Sequence, residues 1–290
     1  MKAYLDIVTH ILTHGVHKEN RTGQDTHAVA GMMFEHDMQK GFPLLTTKKV
    51  PFGLIKTELE FFIKSITDKQ WLIDRKNHIW DEWCNPQKVL YGHDEITRRK
   101  MMEERDLGAI YGFQWRHFGA QYKGVDTDYT GQGADQLQEV VNMLKTDPAS
   151  RRMLVSAWNP TALGEMALPP CHYGFQVTVI DNKLSLMWNQ RSVDTMLGLP
   201  FNIASYGLLL HLLARESGFK EGQLIGFLGD VHIYVNHIEG AREQIERDPN
   251  RYPLSAIETK NFTSIFDWSN KDTKITNYQS HPSIKFDIAV

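Results

Sequence analysis

Phe175-Gln176-Val177-Thr178-Val179-Ile180, Asp181-Asn182-Lys183 and Leu184-Ser185-Leu186-Met187-Trp188-Asn189-Gln190 follow one another without a break. The outer runs have the β-branched, aromatic and alternating composition of strands, and the polar triplet between them reads as a turn, so the stretch predicts a β-hairpin. Residues 153–158 predict a further strand upstream. Downstream, Pro200 can open a helix at its first turn, residues 203–216 continue it, and Gly218 is placed to end it. Apolar residues recur at helical spacing over residues 3–14, 54–66 and 135–146, and residues 234–246 predict another helix. Strands and helices are thus mixed in an α/β (α+β) arrangement. No repeat or low-complexity linker divides the chain, which predicts a single domain.

The bulk properties fit this reading. The chain has 290 residues, 41% hydrophobic and 23% charged, enough to bury a substantial core. A net charge of −3 does not point to a nucleic-acid polymer, although a few local arginines could hold a small anion. Two cysteines, Cys84 and Cys171, make no disulfide framework and fit a reducing, cytoplasmic setting. The start of the chain lacks the pattern of a signal peptide, and no run approaches the roughly 18 apolar residues of a membrane span. Neither CxxC nor HExxH occurs, so no metal site is expected. In residues 94–106 nine of thirteen are charged, which predicts a solvated helix or loop. Residues 255–283 read as polar and irregular, and the chain turns apolar again near its end.

Chemistry concentrates at the two ends of the hairpin. Leu168-Pro169-Pro170-Cys171-His172 places a thiol after a stiff turn, and Gln190-Arg191-Ser192-Val193-Asp194 follows twenty residues later. A thiolate is a nucleophile and a nearby cation favours it, but a buried cysteine can equally be a small hydrophobe. His172, next in a strand, points to the opposite face and need not be the activator. Arg21, Arg151, Arg152 and Arg191 could converge on a phosphate, or each be a surface ion pair. Glu58 lies in an apolar helix, where a carboxylate is either an acid/base or part of a wet face with Lys56, Glu60 and Lys64; composition favours the wet face. Trp80 and Trp83 could stack a flat heterocycle or belong to the core. Asn202 offers a donor and an acceptor together, and His232 and Tyr234 share one face of an extended segment.

The chain resembles the folate-dependent thymidylate synthases. The matching runs are Arg21-Thr-Gly, Phe42-Pro-Leu-Leu-Thr-Thr-Lys48, Trp80-Asp-Glu-Trp83, Tyr111-Gly-Phe-Gln-Trp-Arg116 and Arg151-Arg152. They continue with Ala167-Leu-Pro-Pro-Cys-His172, Gln190-Arg-Ser-Val-Asp194, Gly198-Leu-Pro-Phe-Asn-Ile-Ala-Ser-Tyr206, Gly229-Asp-Val-His-Ile-Tyr-Val-Asn-His237 and Ala289-Val290. The resemblance implies one catalytic domain over 1–290, with a charged peripheral insert near 85–108 and a closing segment at 284–290. It implies a large mixed β-sheet whose back face forms a homodimer, with helices on the other face.

It also implies a reaction: methylation of dUMP to dTMP by 5,10-methylenetetrahydrofolate, which supplies both the carbon and the hydride. Cys171 would add to C6 of the pyrimidine. Glu58, Arg191, Asp194, Asn202, Tyr111 and His172 would complete the catalytic set. Arg21, Gln190, Arg191, Ser192, Asp194, Asn202, His232 and Tyr234 would bind dUMP, with Arg151 and Arg152 supplied by the other subunit. Lys48, Ile79, Trp80, Trp83, Leu168, Asp194, Leu197, Gly198, Phe201, Ala289 and Val290 would form the folate site. Neither membrane nor nucleic acid is implied for catalysis.

Asn189, Tyr173-Gly174 and Val50-Pro51-Phe52-Gly53-Leu54 depart from the family pattern, the last where residues for the folate's glutamate end are expected. Two alternatives share the same residues: a dUMP hydroxymethylase, in which water quenches the methylene, and a catalytically silent nucleotide- or RNA-binding relative. Trp80 and the Ala289-Val290 end favour a site that excludes water, hence methylation. A thiol redox protein would need a second cysteine near the first in sequence.

Overall fold

The computed structural model describes residues 1–20 and 23–287. In chain order the elements are α1 (Lys2–His14), β1 (Val16–Lys18), β2 (Thr26–Asp37), α2 (Phe52–Ile63), α3 (Gln70–Ile73), α4 (Glu95–Glu103), α5 (Tyr111–His117) and α6 (Gln136–Thr146). They continue with β3 (Leu154–Ser156), β4 (His172–Ile180), β5 (Lys183–Asp194), α7 (Gly198–Ser217), β6 (Lys220–Tyr234), α8 (Ile238–Ile245), β7 (Ala256–Thr259) and β8 (Thr273–Thr276).

The hairpin is β4–β5. Ile180 pairs with Lys183, and Asp181 and Asn182 between them both sit at positive φ, 51° and 55°. That is the two-residue turn whose twist suits a hairpin, and Asp and Asn tolerate it best after glycine. The hairpin lies in a six-stranded mixed sheet of order β1-β2-β6-β5-β4-β3. Its neighbours are antiparallel except β5 and β6, which run parallel. A parallel pair needs a crossover, and α7 supplies it, packed on both strands it connects and ended by Gly218 at φ 78°.

The inner face of the sheet builds the core. Trp188 of β5 is fully buried and stacks parallel on Tyr206 of α7, with centroids 5.4 Å apart. Gly226 on β6 makes room for it, since a Cβ there would stand 2.4 Å from the indole. The outer face is different. Met33, Tyr173 and Phe227 are exposed at 52%, 37% and 46%, and together line a shallow depression. Isolated exposed apolar residues are ordinary, and these three fall together on one sheet face.

Several expectations from sequence needed revision. The strand over 153–158 narrows to β3, and the helix over 234–246 to α8. Val231 to Tyr234 instead pairs with β2 as the end of β6. Two long central strands, β2 and β6, are not legible in the sequence, because Gly31 (φ 71°), Gly222, Gly226 and Gly229 interrupt their alternation. Residues 255–283 are not wholly irregular, since β7 and β8 pair within them. The charged 94–106 stretch holds α4, capped by Asp94 on the Thr97 amide, with Met101 buried beneath it. Lys69 ties this insert to the body of the protein. It is 1% exposed, and its ammonium donates to the carbonyls of Asp81 (2.7 Å), Trp83 (2.9 Å) and Met101 (2.7 Å). Among the described residues no helix is long and apolar enough to cross a membrane.

Candidate active site around Cys171

Cys171 sits between the Pro169-Pro170 turn and the first residue of β4, and its backbone is held on both sides. Its amide donates to the Tyr111 hydroxyl at 2.8 Å, and its carbonyl accepts from the Arg191 amide at 2.8 Å. The Arg191 guanidinium reaches back as well, with Nε on the Pro170 carbonyl (2.9 Å) and Nη2 on the Pro169 carbonyl (2.8 Å). Proline offers a carbonyl and no N–H, so the turn is all acceptor on this side and suits the rigid fork of an arginine. The same guanidinium lies over the Trp158 ring, 5.4 Å from its centre.

An aromatic wall stands behind the thiol's backbone. Tyr111 stacks on Phe62 (4.9 Å) and on His172 (4.4 Å), and those two rings also approach each other at 6.3 Å. Burial, the largest cause, raises the Tyr111 phenol well above its ordinary range, so it stays protonated. Burial also pushes the His172 imidazole down to about 3. His172 is therefore neutral at pH 7, with Nδ1 2.9 Å from the Tyr206 hydroxyl. As a neutral ring it provides no cation for a thiolate, and its contacts are with the aromatic stack. Trp80 packs edge-on against Tyr111 and Phe62, and its indole N–H donates to Glu58 Oε1 at 2.8 Å. Burial pushes the Glu58 carboxyl up to about 7, against the opposing effect of that hydrogen bond. The wet-face reading of this helix thus fails: Glu60 is 3% exposed, taken up by Lys64 (2.6 Å) and the Asn270 amide (2.9 Å).

The opposite wall is polar and comes from β5, β6 and the start of α7. Gln190 donates from Nε2 to the Asn202 Oδ1 (3.0 Å) and accepts from the Trp188 indole (3.1 Å), which fixes the Asn202 amide. Asp194 caps the turn into α7, accepting from the Met196 (3.1 Å) and Leu197 (3.0 Å) amides. Leu197 precedes α7 and Gly198 begins it, with the Gly198 Cα backed by Asp194 and Asn202. Lys48 is 6% exposed, donates to the Met196 carbonyl and lies 4.6 Å from the centre of the Phe286 ring. Burial lowers Lys48 to about 8, although Asp194 acts to raise it. His232 and Tyr234 pack edge to face, with centroids 5.3 Å apart, on one side of β6.

A cavity of about 760 Å³ opens beside Cys171, and Glu58, Trp80, Tyr111, His172, Gln190, Asp194, Leu197, Gly198, Asn202 and Lys48 do not line it. Of the residues expected from sequence it is lined by Cys171, Arg191, Ser192, His232, Tyr234, Trp83 and Leu168. It adds Lys18, Asn20, Trp158, Tyr91 and Asp230, which sequence reading gave no role. Asp230 lay inside a quoted motif, and its spacing of two from His232 was the available signal. Tyr91 comes from the insert and stacks on Trp83 at 5.7 Å. Ile79 and Phe201 are half-buried against the core rather than lining this cavity. Arg151 and Arg152 are exposed and do not line it either. Arg21, Ala289 and Val290 lie outside the described residues.

Comparison with known proteins places the chain. The family model described as thymidylate synthase matches residues 2–290. The chain is 45% identical over 287 residues to the thymidylate synthase of Homo sapiens, covering 99% of this chain and 90% of that protein. It is 44% identical over 287 residues to the bifunctional dihydrofolate reductase-thymidylate synthase of Paramecium tetraurelia. There it again aligns over 99% of its own length but spans 61% of the relative. With nearly its whole length matched by the family model, this chain belongs to the thymidylate synthase family.

Proposed function

We propose that the chain methylates dUMP to dTMP, with 5,10-methylenetetrahydrofolate as the second substrate and dihydrofolate as the second product. The observation that carries this reading is Cys171 in a cavity of about 760 Å³ whose lining combines Arg191, Ser192, His232 and Tyr234, suited to a nucleotide, with Trp83, Tyr91 and Leu168, suited to a flat heterocycle. That volume falls in the range of small-molecule sites. Cys171 sulfur bonds to C6, and C5 then takes the one-carbon unit from the folate. Loss of the C5 proton and of tetrahydrofolate leaves an exocyclic methylene. Hydride from tetrahydrofolate reduces it, and Cys171 departs as the C5–C6 double bond returns.

The chain's residues divide this work. Arg191 and Ser192 hold the phosphate, joined by Arg21. Asn202, fixed by Gln190, reads the pyrimidine edge. Glu58, raised to about 7, can both take and give a proton near neutral pH. Tyr111 holds the Cys171 backbone, and His172 serves by packing. Trp83 and Leu168 form the apolar side for the folate, with Trp80, Ile79, Phe201, Leu197, Gly198, Lys48 and Asp194 behind it. Residues 284–290 close over the site and exclude water. The exposed outer sheet face supports a back-to-back homodimer, in which Arg151 and Arg152 reach the partner's phosphate. The thiol chemistry suits a reducing cytoplasm.

Product analysis tests this reading. Protein incubated with dUMP and methylenetetrahydrofolate is expected to yield dTMP and dihydrofolate in equal amounts. 5-Hydroxymethyl-dUMP with tetrahydrofolate would instead make it a hydroxymethylase, and no product with retained dUMP binding would make it a silent relative.

A further inference from the structure

A chain of charge runs from the protein's edge to the cavity. Lys18, the last residue of the edge strand β1, pairs with Asp230 of β6, and Asp230 Oδ1 lies 3.0 Å from His232 Nδ1. Side-chain exposure falls along this line from 54% at Lys18 to 34% at Asp230 and 10% at His232. An exposed ion pair alone contributes little. This one differs because the carboxylate is shared with a buried imidazole that lines the cavity.

The sharing decides where the imidazole proton sits. Burial by itself would raise the Asp230 carboxyl, but the bonds from Lys18 and His232 outweigh it and hold the group below its ordinary value. Asp230 is then an ionised acceptor with no proton to donate. Its partner Nδ1 must carry the hydrogen, so Nε2 of the neutral ring keeps its lone pair. A bare ring nitrogen accepts from a hydroxyl and has nothing to offer a phosphate or a carbonyl. Tyr234 lies on the same face, 5.3 Å away between ring centres.

We propose that Lys18 and Asp230 are positioning residues that fix the His232 tautomer, and so make a sugar hydroxyl a condition of tight nucleotide binding. The inference rests on dUMP being the substrate. Lys18 holds Asp230 against rotation, Asp230 sets the proton on Nδ1, and His232 Nε2 accepts from the 3′-hydroxyl. The same carboxylate–histidine logic orients imidazole ligands in metal sites, where the second partner also sets the tautomer.

Two measurements test it. Nitrogen-15 spectra of the histidine-labelled protein, with His232 assigned by its loss in His232→Gln, are expected to show protonated Nδ1 and bare Nε2. A proton on Nε2 in the wild type would overturn the proposal without any variant at Asp230 or Lys18. Binding of dUMP is then compared with binding of 2′,3′-dideoxyuridine 5′-monophosphate. The wild type should prefer dUMP by about tenfold, the worth of one well-made hydrogen bond. Asp230→Ala should erase that preference by weakening dUMP alone, and unchanged binding of the dideoxy nucleotide shows that the variant is folded. Lys18→Met should lower the preference and Lys18→Arg restore it. Equal weakening of both nucleotides, or a preference unmoved by Asp230→Ala, would sink the idea. If the wild type binds neither nucleotide, the substrate reading itself fails, and the inference with it.

Discussion

The two walls that meet at Cys171 use opposite physics. The aromatic wall, from α2, α5 and the 80–83 turn, works by removing water. Desolvation holds Tyr111 protonated, His172 neutral and Glu58 near 7. The polar wall, from β5 and β6, works by pairing. Arg191 grips two proline carbonyls, Gln190 grips Asn202, and Asp230 is shared by Lys18 and His232. One wall tunes proton affinities and the other fixes directions. A reaction that adds a thiolate to a charged nucleotide and then shields a reactive methylene needs both.

Substitutions can break the division, beginning with the residue common to both walls. Cys171→Ser should lower dTMP formation by at least about 10³-fold, the scale of losing a covalent nucleophile. Binary dUMP binding should survive, and near-normal turnover would remove the covalent mechanism. On the polar wall, Arg191→Lys keeps the charge and loses the fork over Pro169 and Pro170. It should cost about 10²-fold in kcat/KM if direction matters there, as the non-equivalence of the two cations suggests. A kcat/KM within about twofold of wild type would reduce Arg191 to a point charge.

On the aromatic wall, Glu58→Gln trades activity for stability. The folded carboxyl is raised from 4.5 to about 7, so its favourable contribution is full below 4.5 and is lost as pH rises through 7. The variant should lose turnover yet resist urea better than wild type at pH 8, by about 1–2 kcal/mol after allowing for partial solvent access. Equal urea midpoints at pH 8 would show that Glu58 is not desolvated. His172 acts with the opposite sign: depressed from 6.5 to about 3, it contributes stability above 6.5 that is lost as pH falls toward 3. Tyr111→Phe should have the smallest effect. It leaves the stack and removes the acceptor for the Cys171 amide, costing about 1 kcal/mol of stability by denaturant titration and little in KM for dUMP.

Legibility from sequence followed how local each signal was. The hairpin, α1, α6 and α7 were readable because their periodicity and end signals lie within the segment itself. β2 and β6 were not, because glycines and an apolar outer face hide their alternation until the strands are paired. Cys171, Arg191 and Asn202 are candidates through their motifs. Lys18 and Asp230 carried no pattern tying them together, being separated by most of the chain. Glu58 was visible but misread by composition, since only the fold sets its carboxylate under the Trp80 indole.

The sequence by itself determined the family and the residue types available to each wall, because these reside in residue types in a set order. The tertiary structure alone decided which groups are charged and which way they point. Proton affinities depend on burial and on partners within a few ångströms, and both arise only when β5, β6, α2 and α5 come together in the fold. Tyr91 from the insert and Lys18 from the edge strand joined the cavity beside Cys171 in the same way, through folding rather than motif.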